Sequence, residues 1–83
     1  MNKNEIYEAL TKIFREVFMD DTIEITETTN ANDIEEWDSL MQMALLTEVE
    51  KEFNMKFKPL ETVTIENVGE MVDIIVSRTG GSV

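Results

Sequence analysis

The residue of this sequence best placed to take part in chemistry is Ser39, within the stretch EEWDSLMQMALLTEVEKEF (residues 35–53). Asp38 stands directly before it and Leu40 directly after it. A serine nucleophile needs a neighbouring base, normally His or Lys. The chain contains no His, and its seven Lys and Arg residues lie far from Ser39 along the sequence. We therefore expect neither a self-activated serine hydrolase nor any other catalytic residue in this chain.

The acidic residues that precede Ser39 suggest calcium binding, but their spacing does not support it. An EF-hand loop needs alternating Asp or Asn residues and a glycine in the middle of the loop. No glycine occurs before Gly69. Zinc sites are built largely from His and Cys, and the chain has neither. We predict no resident metal site.

The charge of the chain is strongly negative, with 18 acidic residues against 7 basic ones and a net charge of −11. Because contacts to phosphates need Lys and Arg, nucleic acid is not an expected partner. Between Arg15 and Lys51 there are eleven acidic residues and no basic one, and Ser39 lies inside this segment. The placement favours basic protein partners that are steered by charge.

Length and composition indicate one domain of 83 residues. The absence of Cys favours a reducing compartment. The sequence contains no signal-peptide pattern and no apolar run near the about 18 residues that a membrane span requires. These features predict a cytoplasmic, soluble monomer without a membrane span.

Apolar residues recur at helical spacing in three segments, which predict three main helices. The first covers residues 4–18, with Asn2 or Asn4 as its cap and the apolar residues Ile6, Leu10, Ile13, Phe14 and Val17. The second runs from Ser39 to Phe53, with the stripe Leu40, Met43, Leu46, Val49 and Phe53, widened by Met41, Ala44 and Leu45. The third runs from about Asn67 to Arg78, with the stripe Val68, Met71, Val72, Ile75 and Val76. Asn67 and Glu70 form the pattern of a capping box, and Gly80 or Gly81 can end the last helix.

The remaining segments predict a short helix and a long loop. Pro59 fits the first position of a helix over roughly 59–63, which Phe57, Leu60 and Ile65 would pack against the other helices. Residues 19–38 form a long polar loop that a few apolar residues anchor to the bundle: Ile23, Ile25, Ile34 and Trp37. The predicted fold is all-α, a small four-helix bundle of three main helices and a short third helix with a long first loop.

A plain structural interpretation of Ser39 is that it caps the second helix, since Asp and Ser are common N-cap residues. On that interpretation the protein is an acidic helical adaptor that binds other proteins. A cap alone does not explain why a long acidic loop, Asp-Ser-Leu and a helix with excess apolar surface occur together.

The sequence resembles the acyl carrier proteins. The resemblance rests on Asp38-Ser39-Leu40, preceded by Trp37 and followed by ALLTEVEKEF, then by FNMKF and TIENVGEMVDII. Together these segments span most of the chain. The resemblance implies an acyl carrier domain over residues 1–79 and a flexible tail over residues 80–83.

The resemblance also implies what Ser39 does. In that family a separate phosphopantetheinyl transferase uses magnesium and coenzyme A to attach 4′-phosphopantetheine to the serine through a phosphodiester. By the same resemblance, Asp38 helps to hold the magnesium during modification only, and Leu40 seats the helix and contacts partners. The thiol of the arm then carries an acyl group as a thioester to acyl-loading and acyl-transferring enzymes. Bundle cores of the family can shelter the acyl chain, for which Met41, Met43, Met55 and Met71 would form an adaptable lining.

The sequence departs from the family pattern on the helix after the serine. Standard fatty-acid carriers display acidic residues there, whereas this chain has Met41, Gln42 and Ala44. We expect Met41, Ala44, Glu48 and Trp37 to contact partners through a more apolar face. The departure indicates a specialised carrier of a fatty-acid-like, polyketide or other dedicated pathway. An amino-acyl carrier of the D-alanyl or peptidyl type is the alternative, although Asp38 replaces the glycine usual before the serine of peptidyl carriers.

Overall fold

The computed structural model describes residues 2–80, which form four helices and no strand. The helices are α1 (Lys3–Val17), α2 (Ser39–Phe53), α3 (Glu61–Thr64) and α4 (Val68–Thr79). This architecture confirms the predicted all-α fold with a short third helix and a long first loop. No helix within these residues is long and apolar enough to cross a membrane.

Helix α1 begins with a complete capping box. The side chain of Asn2 accepts a hydrogen bond from the backbone N–H of Glu5, at 2.9 Å, and the Glu5 carboxylate accepts one from the backbone N–H of Asn2. Two of the otherwise unpaired donors at the helix start are thereby satisfied. The predicted apolar face is buried, and only its last member is partly exposed: Ile6, Leu10, Ile13, Phe14 and Val17.

Helix α2 is buried along its second half only. Leu45, Leu46, Val49 and Phe53 belong to the core. Leu40 and Met43, on the same predicted apolar stripe, lie outside the core, since 78% and 51% of their surfaces are exposed. In the first half of α2, Met41 packs in part against the core, whereas Leu40 and Met43 face outward.

Helix α3 differs from the predicted short helix. It begins at Glu61, two residues after Pro59, and Leu60 is 71% exposed instead of packed. None of the four residues of α3 is buried, because one turn of helix is too short to present an apolar face. The flanking residues instead contact the core, Phe57 fully and Ile65 in part.

Helix α4 is capped at both ends. The Asn67 side chain accepts from the backbone N–H of Glu70, at 2.9 Å. The Glu70 carboxylate, however, accepts from the backbone N–H of Glu66, so the predicted capping box forms only in its first half. Gly80 ends the helix in the left-handed conformation, with φ of 65°. The rest of the predicted flexible tail, residues 81–83, lies outside the described residues.

The first loop (residues 18–38) is held to the helices by side chains and by backbone hydrogen bonds. Ile23, Ile34 and Trp37 are buried and Ile25 is partly buried, as predicted. The loop also accepts two hydrogen bonds from the start of α4, where the N–H groups of residues 68 and 69 donate to the carbonyl oxygens of residues 29 and 27. These contacts fix the loop before the chain reaches Ser39.

Candidate functional site

Ser39 is the first residue of α2, and its side chain is exposed. Its hydroxyl makes no hydrogen bond to any residue from 2 to 80. The cap of α2 is Asp38, whose Oδ1 accepts from the backbone N–H of Met41, at 2.9 Å. Thus the interpretation of Ser39 as the helix cap is wrong, and the hydroxyl is left free for an incoming enzyme.

The start of α2 is also a favourable place for negative charge. The first backbone N–H groups of a helix lack intrahelical partners, and the positive end of the helix dipole lies among them. The Asp38 side chain satisfies the N–H of Met41. The N–H groups of Ser39 and Leu40 point out of the helix start, where they can meet a phosphate.

Trp37, two residues before Ser39, belongs to the core. The residue is 8% exposed, and its ring meets the Phe14 ring edge-on, with centroids 5.3 Å apart, and the Phe18 ring at 6.3 Å. This confirms its predicted role as an anchor of the loop. A residue buried in this way offers partners little area, and its predicted contact with them stays a prediction.

The polar edge of Trp37 is tied to α2 and α3 through Gln42. The indole Nε1–H donates to Gln42 Oε1 at 2.6 Å, and Gln42 Nε2 donates to the backbone oxygen of Thr62 at 3.4 Å. We refer to these three residues as the Trp37–Gln42–Thr62 bridge. It spans from the first loop, across α2, to α3.

An open groove of about 500 Å³ lies beside Ser39, between α2 and α3. The residues of the bridge line it together with the attachment candidate and its neighbour: Trp37, Asp38, Ser39, Gln42 and Thr62. Met43 from α2, Val63 from α3 and Ile65 just after α3 complete the walls, together with Ala31 and Glu66. No Lys or Arg is present among these lining residues.

Exposed apolar residues of α2 and α3 form a surface beside this groove, which we call the exposed apolar flank. Leu40 and Met43 contribute from α2, and Val63, which is 77% exposed, contributes from α3. The prediction that Leu40 seats the helix is wrong, because its side chain extends into solvent. Ala44 and Glu48 are exposed as well, with Glu48 paired to Lys51 at 3.5 Å, whereas Met41 is partly buried against the core.

Helix α3 is tied to α4 by an ion pair. Arg78 Nη2 donates to Glu61 Oε2 at 2.6 Å. The hydrogen bond from Arg78, and that from the backbone N–H of Lys58, lower the pKa of the Glu61 carboxyl below its ordinary value. Since α3 buries no side chain, this pair and the Gln42 hydrogen bond hold it beside the groove.

The methionines expected to form one adaptable lining are spread through the molecule. Met55 and Met71 are buried in the core, whereas Met43 lines the exposed groove.

Sequence reasoning missed the roles of Gln42 and Thr62. The sequence could have indicated the role of Gln42, because it lies three residues after Ser39 and therefore on the same helix face. It could not have indicated the role of Thr62, because the contact is made by its backbone oxygen.

Residues 2–80 contain no group of three or more carboxylates placed to hold a metal ion. The chemistry that the site offers is that of one exposed hydroxyl at the start of a helix, next to the Asp38 carboxylate.

Comparison with known proteins identifies the class to which this fold and site belong. Residues 8–75 match the family described as the phosphopantetheine attachment site (PP-binding). The chain is also similar to a holo acyl carrier protein from Geobacter metallireducens, whose structure was solved by solution NMR. The two share 42% sequence identity over 89% of this chain and 85% of that chain, with a TM-score of 0.83. No match to this sequence was found among curated proteins.

The protein therefore belongs to the acyl carrier protein family, and phosphopantetheine is the prosthetic group that this family implies.

Proposed function

We propose that this protein carries acyl groups as thioesters on a 4′-phosphopantetheine arm attached to Ser39. The observation that carries the proposal is the position of that hydroxyl, which is exposed at the first residue of α2 and is not used by the fold. A serine buried in the bundle could not reach a modifying enzyme. The carrier itself then performs no reaction and acts as a cosubstrate of other enzymes.

The attachment reaction matches the residues at the site. Ser39 Oγ forms a bond to the phosphorus next to the pantetheine of coenzyme A, the bond from that phosphorus to the nucleotide breaks, and adenosine 3′,5′-bisphosphate leaves. The hydroxyl proton passes to a base of the transferase, because this chain has no His and the Asp38 carboxylate beside Ser39 is engaged in capping α2. The arm supplies a thiol to a chain that has no Cys of its own.

The helix start fits the product. A phosphodiester at Ser39 meets the free N–H groups of Ser39 and Leu40 and the positive end of the helix dipole. These interactions offset the repulsion from the Asp38 carboxylate. We propose that Asp38 Oδ1 keeps its capping hydrogen bond while its second oxygen helps to hold magnesium in the complex with the transferase.

We further propose a docking face composed of the exposed apolar flank, with acidic residues around it. Leu40 and Ala44 are its central contacts, and Met41 and Glu48 lie at its margins. Partners would be basic proteins that receive the acidic chain by electrostatic steering, namely the transferase and enzymes that load or transfer acyl groups. We place this activity in the cytoplasm, with the carrier as a monomer in a specialised acyl pathway.

The test is incubation with coenzyme A, magnesium and a phosphopantetheinyl transferase, followed by intact mass spectrometry. One phosphopantetheine group should be added to the protein and none to Ser39→Ala. The matched control is Ser77→Ala, which removes an exposed serine from α4 and should load like the original protein. Lack of modification with several transferases would instead favour an acidic adaptor, and loading of Ser39→Ala would assign the arm to another residue.

A further inference from the structure

We propose that the Trp37–Gln42–Thr62 bridge prevents the acyl group from entering the bundle core. This carrier therefore holds short or polar acyl groups in the open groove. Gln42 is then the residue that determines cargo specificity. The inference rests on the proposed function, since it concerns the group carried by the arm on Ser39.

The first step of the argument is the position of the bridge relative to the attachment residue. Ser39 and Gln42 are three residues apart on one helix, so they lie on the same face, separated by about 4.5 Å along the helix axis. Both line the same groove. A cargo that folds back from Ser39 along the helix therefore meets the Gln42 side chain first.

The second step is what lies behind the bridge. The indole of Trp37 separates the groove from the aromatic cluster of Phe14 and Phe18, which it contacts edge-on and at a tilt. For a chain to enter the core from the groove, the indole must turn or move. The 2.6 Å hydrogen bond to Gln42 fixes the indole edge in its present orientation.

The third step is the cost of opening. A long apolar chain that displaced Gln42 would leave the indole N–H, the Gln42 amide and the Thr62 carbonyl facing hydrocarbon. Polar groups that lose their partners in an apolar environment are unfavourable, so the bridge resists such a chain. A short or polar acyl group avoids this conflict, because the groove already presents Asp38, Thr62 and Glu66 among its apolar walls.

The experiment compares two cargoes on the intact chain. A phosphopantetheinyl transferase loads the arm from butanoyl-CoA or from dodecanoyl-CoA, mass spectrometry verifies the loading, and the melting temperature of each form is measured. We expect the two forms of the original protein to melt within about 2 °C of each other. In Gln42→Ala the dodecanoyl form should melt at least about 4 °C above the butanoyl form, because the longer chain can now be buried.

Two further variants test the role of the hydrogen bonds. Gln42→Leu keeps the bulk of the side chain but cannot bond Trp37 or Thr62, and it should behave like Gln42→Ala. Thr47→Ala is the matched control, because its exposed hydroxyl bonds only to Met43 within α2, and it should behave like the original protein. A response of Gln42→Ala that Gln42→Leu lacks would show that bulk alone closes the core, and would overturn the bridge.

The bridge can be distinguished from the carrier function itself. Failure of loading contradicts the proposed function but leaves the bridge testable, because Trp37 is the single Trp of the chain and reports on its own contact. In unmodified Gln42→Ala, the Trp emission should move to longer wavelength as water reaches the indole N–H, whereas Thr47→Ala should leave it unchanged. Successful loading with an equal dodecanoyl shift in the original protein and in Gln42→Ala would overturn the bridge alone.

Discussion

Gly69→Ala tests how the first loop is fixed to the bundle. In an ordinary exposed helix position, replacing Gly by Ala stabilises a protein by up to about 1 kcal/mol. At Gly69 we expect the opposite sign. A Cβ atom at this position would lie 2.8 Å from the backbone oxygen of Glu27 and 3.2 Å from its Cβ. The nearest obstacle is backbone, so the loop itself must move away from α4.

The magnitude follows from the two hydrogen bonds that this movement breaks. The N–H of Gly69 donates to Glu27 at 2.8 Å, and the N–H of Val68 donates to Thr29 at 2.9 Å. Each is worth about 0.5–1.5 kcal/mol net, so losing both costs about 1–3 kcal/mol. The middle of that range, about 2 kcal/mol, less about 1 kcal/mol gained in helix propensity, leaves a net destabilisation of about 1 kcal/mol. For a chain of this size the melting temperature should fall by about 4–8 °C.

The assay is thermal unfolding followed by circular dichroism at 222 nm, with urea unfolding as an independent measure. The control is Ser77→Ala on the exposed side of the same helix, which should leave stability unchanged or raise it slightly. A Gly69→Ala protein as stable as the original would refute the reasoning, because it would mean that the loop is not held by these backbone contacts.

Three other perturbations have definite signs. Glu61→Gln should lower the melting temperature at pH 7, because the lowered pKa of Glu61 gives stability that is fully present above the ordinary Glu pKa. The difference between the variant and the original protein should shrink as pH falls through the folded-state pKa of Glu61. Met19→Gly should stabilise the protein by about 0.5–1 kcal/mol, since Met19 is 90% exposed and has a φ of 53° that disfavours a side chain. Asp38→Ala should cost about 1 kcal/mol through loss of the helix cap, whereas Ser39→Ala should cost less than about 0.5 kcal/mol while abolishing loading.

Each of these three predictions has its own control and a result that would contradict it. For the pH effect, Glu52→Gln removes an exposed α2 carboxylate without an ion-pair partner in residues 2–80, and an equal pH dependence in both variants would contradict the ion pair. For Met19→Gly, the comparison is Asn54→Gly at φ 52°, which should gain less because Asn tolerates this conformation. Equal melting temperatures for the Asp38 and Ser39 variants would contradict the assignment of the cap.

The sequence predicted the long helices well because their apolar spacing reports burial directly. The faces of α1 and α4 are buried as their periodicity indicates, and both helices start at a capping Asn. Periodicity did not separate buried from exposed residues at the start of α2, where Leu40 and Met43 continue the pattern but are exposed. An apolar stripe does not reveal which of its residues a neighbouring element covers.

The sequence predicted which chemical groups the candidate site contains, but it did not predict the contacts between them. The free hydroxyl of Ser39 and the acidic surroundings follow from residue types and positions along one helix. The Trp37–Gln42–Thr62 bridge joins three segments, and one of its acceptors is a backbone oxygen, so no pattern of side chains indicates it. The Arg78–Glu61 pair is likewise a contact between residues 17 apart, which only the folded chain brings together.

The two walls of the groove differ in how freely they can change. The α2 wall is built on Trp37 and the aromatic cluster behind it, so altering that wall also disturbs the folded interior. The α3 wall contributes no buried side chain and is attached by polar contacts at Glu61 and Thr62. Substitutions at its exposed positions should therefore be nearly neutral for folding, so this short helix is the part of the groove whose surface can vary without loss of the scaffold.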